Sequence, residues 1–356
     1  MKKFDNLLLK GLNYQKKNNF DEALKIYNEL IAQDNKNSQL LLFLGTLYLQ
    51  INNFNLAKNY LEQAFSIDKN NTLIINNLAI AYEKLEEKDK AISLLEKSIE
   101  ISQNNPETLF RIANLFSSEK KYKLAIKNYQ KAIELKPSFM FAYLNLGNAQ
   151  FESKFFEESI VSFEKAISFD RNFIPGYLNI CRALLKLEKF DQALKYSDEI
   201  IKLDNMNIHG NLIQGDINLI LKNFSNAIKN YEKIIKIDPR HSLVLGKLLH
   251  AKMYLNDWKN YKKLLGDIIK YIDKNIMVIH PSIFLPLTDQ PDLHLKASKI
   301  YTNQYYKKDL INQKISFEKK SKINIGYFSS DFYDHATLRL MMDVFQHHDR
   351  SKFNIF

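Results

Sequence analysis

His335 is the side chain in this sequence best placed to do chemistry, and its neighbours say why. It falls in KINIGYFSSDFYDHATLRLMMDVF, Lys322 to Phe345. Ile323, Ile325, Tyr327 and Phe328 form a short apolar run with β-branched members, bounded by Ser329, Ser330 and Asp331, which is the pattern of a buried parallel strand. Leu338, Leu340, Met341, Val344 and Phe345 then predict a helix. Asp334 is suited to cap that helix, so His335 occupies its first turn. There the positive end of the helix dipole disfavours imidazolium and keeps the ring neutral near pH 7. A neutral imidazole can donate to, or accept from, a hydroxyl or a phosphate. A lone histidine at a helix start is mostly structural, so position alone assigns it no role. His347 and His348, at the far end of the same helix, are favourable dipole partners only.

Other reactive chemistry is sparse. Cys181 is the single cysteine, which excludes an intramolecular disulfide framework, and no Cys and His cluster has zinc-site spacing, so no metal is expected. The net charge of +11 raises the question of nucleic acid. Between Leu295 and Lys322, eight lysines against Asp309 and Glu318 carry +6 of it. That segment lacks the arginine and aromatic interleaving of a base-stacking surface, so it reads as solvated connecting chain. The amino terminus MKKFDNLLLKGLNY is interrupted by Asp5 and Lys10 before a signal-peptide core can form. The apolar IMVIHPSIFLPL is too short for a membrane span and carries His280, Pro281 and Pro286. A cytoplasmic protein without membrane or nucleic-acid partners is expected.

The elements that would position any site come from a repeat. Pairs of an aromatic and a small residue three positions on recur at Phe20/Ala23, Phe54/Ala57, Tyr122/Ala125, Phe156/Ser159, Phe190/Ala193 and Phe224/Ala227, with Lys88/Ala91 and Trp258/Tyr261 in the same register of 34 residues. A second column keeps the same step: Asp34, Asp68, Ser102, Lys136, Asp170, Asp204 and Asp238. Only nine glycines and seven prolines punctuate the chain, which suits long helices with short connections. Each unit therefore reads as a helical hairpin whose apolar faces are buried only by stacking on its neighbours. Cys181 falls in the small-residue column of Gly45, Ala79, Ala113, Gly147 and Gly215 and reads as buried; Trp258 falls in the aromatic column and reads as core.

In such a stack the first helices face the concave side, and the columns flanking the small crossing position should line the groove. They hold Asn77, Asn114, Asn145, Asn148 and Asn179, with Arg111, Arg182 and Asp216 among them. A carboxamide is both donor and acceptor, so a ladder of them can hold the backbone of an extended peptide without choosing its side chains strongly.

The 34-residue pattern resembles the tetratricopeptide repeat, best seen in FAYLNLGNAQFESKFFEESIVSFEKAISFD. The terminal stretch KINIGYFSSDFYDHATLRLMMDVFQHHDRSKFNIF, with the preceding HPSIFLPLTDQPDLHLKASKIY, resembles the linker and the opening of the catalytic region of the O-linked N-acetylglucosamine transferase and SPINDLY family. In that family repeats of this type precede a GT-B glycosyltransferase. The resemblance implies a protein O-glycosyltransferase that moves a sugar to Ser or Thr of client proteins held in the groove. It implies no cofactor; the donor would be UDP-N-acetylglucosamine (UDP-GlcNAc) by preference, with GDP-fucose as the alternative, held mainly by a half of the enzyme not present in this chain. It also places His335 where the family has an active-site histidine, and so implies a catalytic position. Ala336 and Arg339 depart from the family's usual His-Pro and from its second histidine or aromatic, so the donor preference is not legible there.

The expected fold is an all-α tetratricopeptide-repeat superhelix (an α-solenoid) followed by the start of an α/β, Rossmann-like GT-B domain. The expected organisation is an array of about eight repeats over 1–275, a helical linker over 276–321 and an incomplete N-terminal part of the glycosyltransferase domain over 322–356. Asn354, Ile355 and Phe356 would only begin a second strand, so a partial chain, inactive alone, is expected. From another class, a non-enzymatic repeat scaffold binding extended peptides fits the same array.

Overall fold

Paired helices repeat along the chain because the same start and stop signals recur every 34 residues. The pairs are α1 (Lys2–Lys16) and α2 (Phe20–Gln33), α3 (Ser38–Gln50) and α4 (Phe54–Ile67), α5 (Thr72–Lys84) and α6 (Lys88–Ile101), α7 (Pro106–Ser118) and α8 (Tyr122–Leu135). They continue as α9 (Met140–Glu152) and α10 (Phe156–Phe169), α11 (Ile174–Lys186) and α12 (Phe190–Leu203), α13 (Ile208–Ile220) and α14 (Phe224–Ile237), α15 (Val244–Tyr254) and α16 (Tyr261–Asp273). The structure, a computed structural model, describes residues 2–102, 105–305, 323–325, 349, 351 and 353–355. It divides into two compact units, Met1–Ser298 and Lys299–Phe356.

The caps are residue-specific. Several first helices start on an asparagine whose side chain accepts a backbone N–H that the helix leaves unpaired: Asn37 from Leu40 at 3.0 Å, Asn105 from Thr108 at 3.0 Å and Asn207 from Gly210 at 2.9 Å. The acidic column ends the second helices. Asp34, Asp170 and Asp204 each accept the backbone N–H two residues on, at 3.0, 2.9 and 3.1 Å, which turns the chain into the next hairpin. The first helices end on a left-handed residue with the same period: Asn18, Asn52, Glu86, Lys120, Lys154, Glu188, Lys222 and Asn256 all have φ between 52° and 67°. The following N–H then reaches back five residues, as in Asn53 to the Tyr48 carbonyl at 2.9 Å and Phe155 to Gln150 at 2.9 Å. That closure is the Schellman motif, made here without glycine.

Inside most hairpins a small residue on the first helix meets a large one on the second. A Cβ added at Gly45 would lie 2.4 Å from Leu61, at Gly147 2.5 Å from Phe163 and at Gly215 2.7 Å from Tyr231. The sixth hairpin is the exception: Cys181 occupies the small column and faces Ser197, two small residues that are both fully buried. Burial pushes the Cys181 thiol up to about 12, so it stays protonated. Each of these large side chains contributes about 1.5–3 kcal/mol by leaving water, and adjacent hairpins share the resulting core.

The eighth hairpin departs from the pattern. Asn256 keeps the left-handed position, but Asn260 is left-handed as well, with φ of 62°, and delays the second helix to Tyr261. Trp258 is therefore stranded in the turn, 54% exposed and edge-on to Tyr261 at 5.4 Å, and is not the core residue its column predicts. The apolar segment after α16 covers the end of the stack: Met277, Val278, Ile279, Phe284 and Leu287 are all buried. Gly246 on α15 donates its N–H to the Val278 carbonyl at 2.9 Å, and an added Cβ would lie 2.8 Å from the Ile279 Cα. A short helix α17 (Pro281–Phe284), a 3-10 turn over Leu285–Leu287 and α18 (Pro291–Tyr305) follow. Lys296 on α18 is tied to Asp273 at 3.0 Å.

In the second unit, β1 (Ile323–Ile325) and β2 (Phe353–Ile355) pair in parallel, with Ile323 opposite Phe353 and Ile325 opposite Ile355. No helix among the described residues is long and apolar enough to cross a membrane.

Candidate functional site

The candidate peptide-binding residues lie on the first helices, two residues before and one residue after the small crossing position. Helical spacing puts those two positions on one exposed strip, three residues apart. Asn77, Asn114, Asn145, Asn148 and Asn179 are all half-buried there.

They bond to one another across repeats. Asn145 Nδ2 donates to Asn114 Oδ1 at 2.9 Å, and Asn179 Nδ2 donates to Asn148 Oδ1 at 3.0 Å. Asn77 Nδ2 donates to Thr46 Oγ1 at 3.0 Å. The same geometry near the other end of the array is ionic: Lys247 Nζ lies 2.6 Å from Asp216 Oδ2. Every one of these rungs joins residues 31 apart, one repeat less the three-residue offset between the two columns. A rung of this kind is worth about 0.5–1.5 kcal/mol and sets the spacing of neighbouring first helices.

Three steps lack a rung: Leu12 to Phe43 is apolar on both sides, and the other two carry an arginine. Where Ile80 cannot accept, Arg111 turns to Glu83 at 3.0 Å. Where Ile213 cannot accept, the exposed Arg182 sits over the Phe151 ring at 5.0 Å and donates to Asn179 Oδ1 at 3.3 Å. Asn114 Oδ1 also accepts the Tyr129 hydroxyl at 2.7 Å, and Asp216 accepts that of Tyr231 at 2.7 Å, so the strip is anchored to the core from behind. Burial pushes the Tyr129 hydroxyl up to about 12. Burial first, and the Asp216 carboxylate second, push Tyr231 far above the ordinary phenol. Both hydroxyls therefore remain donors at neutral pH.

The amides are not exhausted by these contacts. Asn77 Oδ1 and Asn148 Nδ2 have no partner among the described residues, so an acceptor and a donor stay available on the strip. Sequence reasoning found the asparagines and missed their pairing, along with Thr46 and Lys247. The signal was present in the 31-residue interval between the two columns. His335 lies outside the described residues, as do the turn and helix expected around it. Among the described residues no group of three or more His, Cys, Asp or Glu could hold a metal ion.

Stacked hairpins of constant length, burying successive apolar clusters between neighbours and presenting a periodic polar strip, define a helical-repeat solenoid. Family models described as tetratricopeptide repeat or TPR repeat match residues 8–57, 52–109, 113–154, 142–173 and 209–241. The chain is a tetratricopeptide-repeat protein. The C-terminal part of a TPR repeat-containing protein from Cytophaga hutchinsonii superposes with a TM-score of 0.62 at 20% identity, covering 68% of this chain and 99% of that one. A tetratricopeptide repeat protein from Parabacteroides merdae does so with a TM-score of 0.51 at 18% identity, covering 70% and 99%. These two establish likeness of fold alone. A curated protein of Caenorhabditis elegans, UDP-N-acetylglucosamine--peptide N-acetylglucosaminyltransferase, is 28% identical over 115 residues. The match covers 28% of this chain and 10% of that protein, so the chain spans about a tenth of the curated relative's length.

Proposed function

We propose that this chain binds extended segments of client proteins along the asparagine strip and serves protein O-glycosyl transfer from a nucleotide sugar, UDP-GlcNAc or GDP-fucose. The observation that carries the binding half is the set of half-buried amides held in register at repeat spacing, with donor and acceptor capacity left over at Asn148 and Asn77. An extended backbone offers alternating N–H and C=O groups, and fixed carboxamides meet them without a penalty for ordering. The transfer half is supported by the similarity to the nematode transferase and by the parallel pairing of β1 with β2. Parallel strands require a crossover connection, which residues 326–352 are long enough to supply, and such units open Rossmann-like domains. In this reading His335 stands in the transfer cleft.

Replacing Asn145, Asn148 and Asn179 by alanine and probing an array of client peptides tests the binding half. The triple alanine variant is expected to keep its helical circular dichroism and lose at least tenfold in affinity for extended client peptides. Retained affinity would remove the strip from recognition. The transfer half is tested with a form of the protein extended by a nucleotide-holding half, incubated with client extract and labelled UDP-GlcNAc or GDP-fucose and compared with its His335→Ala variant. Peptide binding without any label incorporation leaves the second reading, a repeat scaffold, which the completeness of the strip within the array favours.

A further inference from the structure

The seventh hairpin turns polar where every other hairpin is mostly apolar. Asn211 stands in the column of Leu41, Ile75, Leu109, Tyr143 and Tyr177. Gln214 stands in that of Leu44, Leu78, Ile112, Leu146 and Ile180, and Asn218 in that of Tyr48, Tyr82, Phe116, Gln150 and Leu184. Three amides on one helix face cost the stack stability that hydrophobic side chains would supply. Asn211 is fully buried, while Asn218 and Asn230 are each 5% exposed.

Beside Asn211 lies a cavity of about 390 Å³, with Gln214 and Asn218 from α13, Asn230 from α14 and Asp198 from α12 in its lining. Asn230 Nδ2 donates to Gln214 Oε1 at 2.6 Å and to Asn211 Oδ1 at 3.2 Å, and Gln214 Nε2 donates to Asp198 Oδ1 at 2.6 Å. Asn211 in turn donates to the carbonyls of Asn205 and Asn207 at 3.0 and 2.9 Å. The network thus fixes its own members and leaves the Asn218 carboxamide out: buried, it has no side-chain hydrogen bond to any described residue. Gln150, its counterpart two hairpins earlier, is satisfied by the Ser162 hydroxyl at 2.6 Å. The equivalent cavity four hairpins earlier, about 410 Å³, keeps charged groups at its edge (Glu62, Asp89, Lys90) but presents Leu78, Tyr82 and Leu94 where this one has Gln214, Asn218 and Asn230, so the amide lining belongs to this site and not to the repeat.

We propose that this cavity binds a small polyhydroxylated anion, of the class of sugar acids and sugar phosphates. Each carboxamide sets a donor beside an acceptor, which neighbouring hydroxyls match, and Asn218 is the side chain waiting for one. Lys229 and Lys233 against the single Asp198 bias the lining toward an anion, and the Lys229 ammonium has no ion pair among the described residues. No aromatic ring lines the cavity, so a stacking base has no platform there. Its volume lies within the range of small-molecule sites, about 300–1,000 Å³.

Titration calorimetry of the full chain with glucose 6-phosphate, glucuronate and glucose tests this. The two anions are expected to bind, with glucose at least tenfold weaker. Asn218→Leu, which installs the side chain of Leu184, should abolish binding and raise the urea midpoint, showing that the fold is intact. Lys229→Gln should weaken both anions about tenfold. No heat from either anion, or binding that survives Asn218→Leu in a folded chain, overturns the proposal.

Discussion

Gly147 provides the sharpest test of how the hairpins are packed. Replacing it by alanine places a methyl 2.5, 2.7 and 3.0 Å from three ring carbons of Phe163, which is 1% exposed. Ordinary contact begins near 3.4 Å, so the ring or the helix must give by about 1 Å, a misfit of the kind that costs about 1–3 kcal/mol. Alanine in a helix interior returns about 1 kcal/mol relative to glycine, so the net expectation is a loss of up to about 2 kcal/mol. Gly266→Ala is the internal control, since nothing lies within 4 Å of its added Cβ, and it should stabilise by about 1 kcal/mol. The double variant Gly147→Ala with Phe163→Leu recreates the Ala79 and Leu95 combination of an earlier hairpin and should cost less than the sum of its parts. Urea unfolding followed by circular dichroism reads all four. If Gly147→Ala and Gly266→Ala move the midpoint the same way, the packing argument is wrong.

Asn76 stands in a column otherwise filled by Leu42, Phe110, Leu144, Leu178 and Leu212, and its buried Oδ1 has no partner. Asn76→Leu should therefore stabilise by about 1–3 kcal/mol in the same assay, and a loss would mean that the amide is satisfied in solution. Lys154, with φ of 67°, sits where glycine is free of steric cost, so Lys154→Gly should gain about 0.5–1 kcal/mol. Cys181 should resist thiol reagents until the array unfolds. Because burial raises its folded pKa to about 12 from 9.0, its contribution is intact below pH 9 and lost between pH 9 and 12, by about 1.4 kcal/mol per unit. Cys181→Ala should flatten that part of the stability profile; an unchanged slope would place the thiol in solvent.

What was legible in the sequence follows from how strictly each feature is periodic. The small crossing column, with Cys181 in it, recurs without a gap, and the acidic column with only Ser102 and Lys136 out of type, so their roles as close contact and as cap could be read directly. The left-handed closure recurs as strictly but carries Asn, Glu and Lys where glycine would have announced it, and so stayed invisible. Trp258 misled because register was carried one hairpin too far: a second left-handed residue at Asn260 delays the helix, and no column could show that. The asparagines were found by type and their partnership missed, since a pair 31 apart appears only when two columns are compared across neighbouring units.

The fixed interval of the rungs bears on how this array can change length in evolution. Inserting one residue within a first helix rotates the rest of that helix by about 100° about its axis and unhooks its amides from their mates, whereas duplicating a whole hairpin leaves all pairings correct. Growth and loss should therefore proceed by complete modules, and a variant lengthened by one copy between Asn148 and Asn179 should reach further without losing continuity of its inner strip.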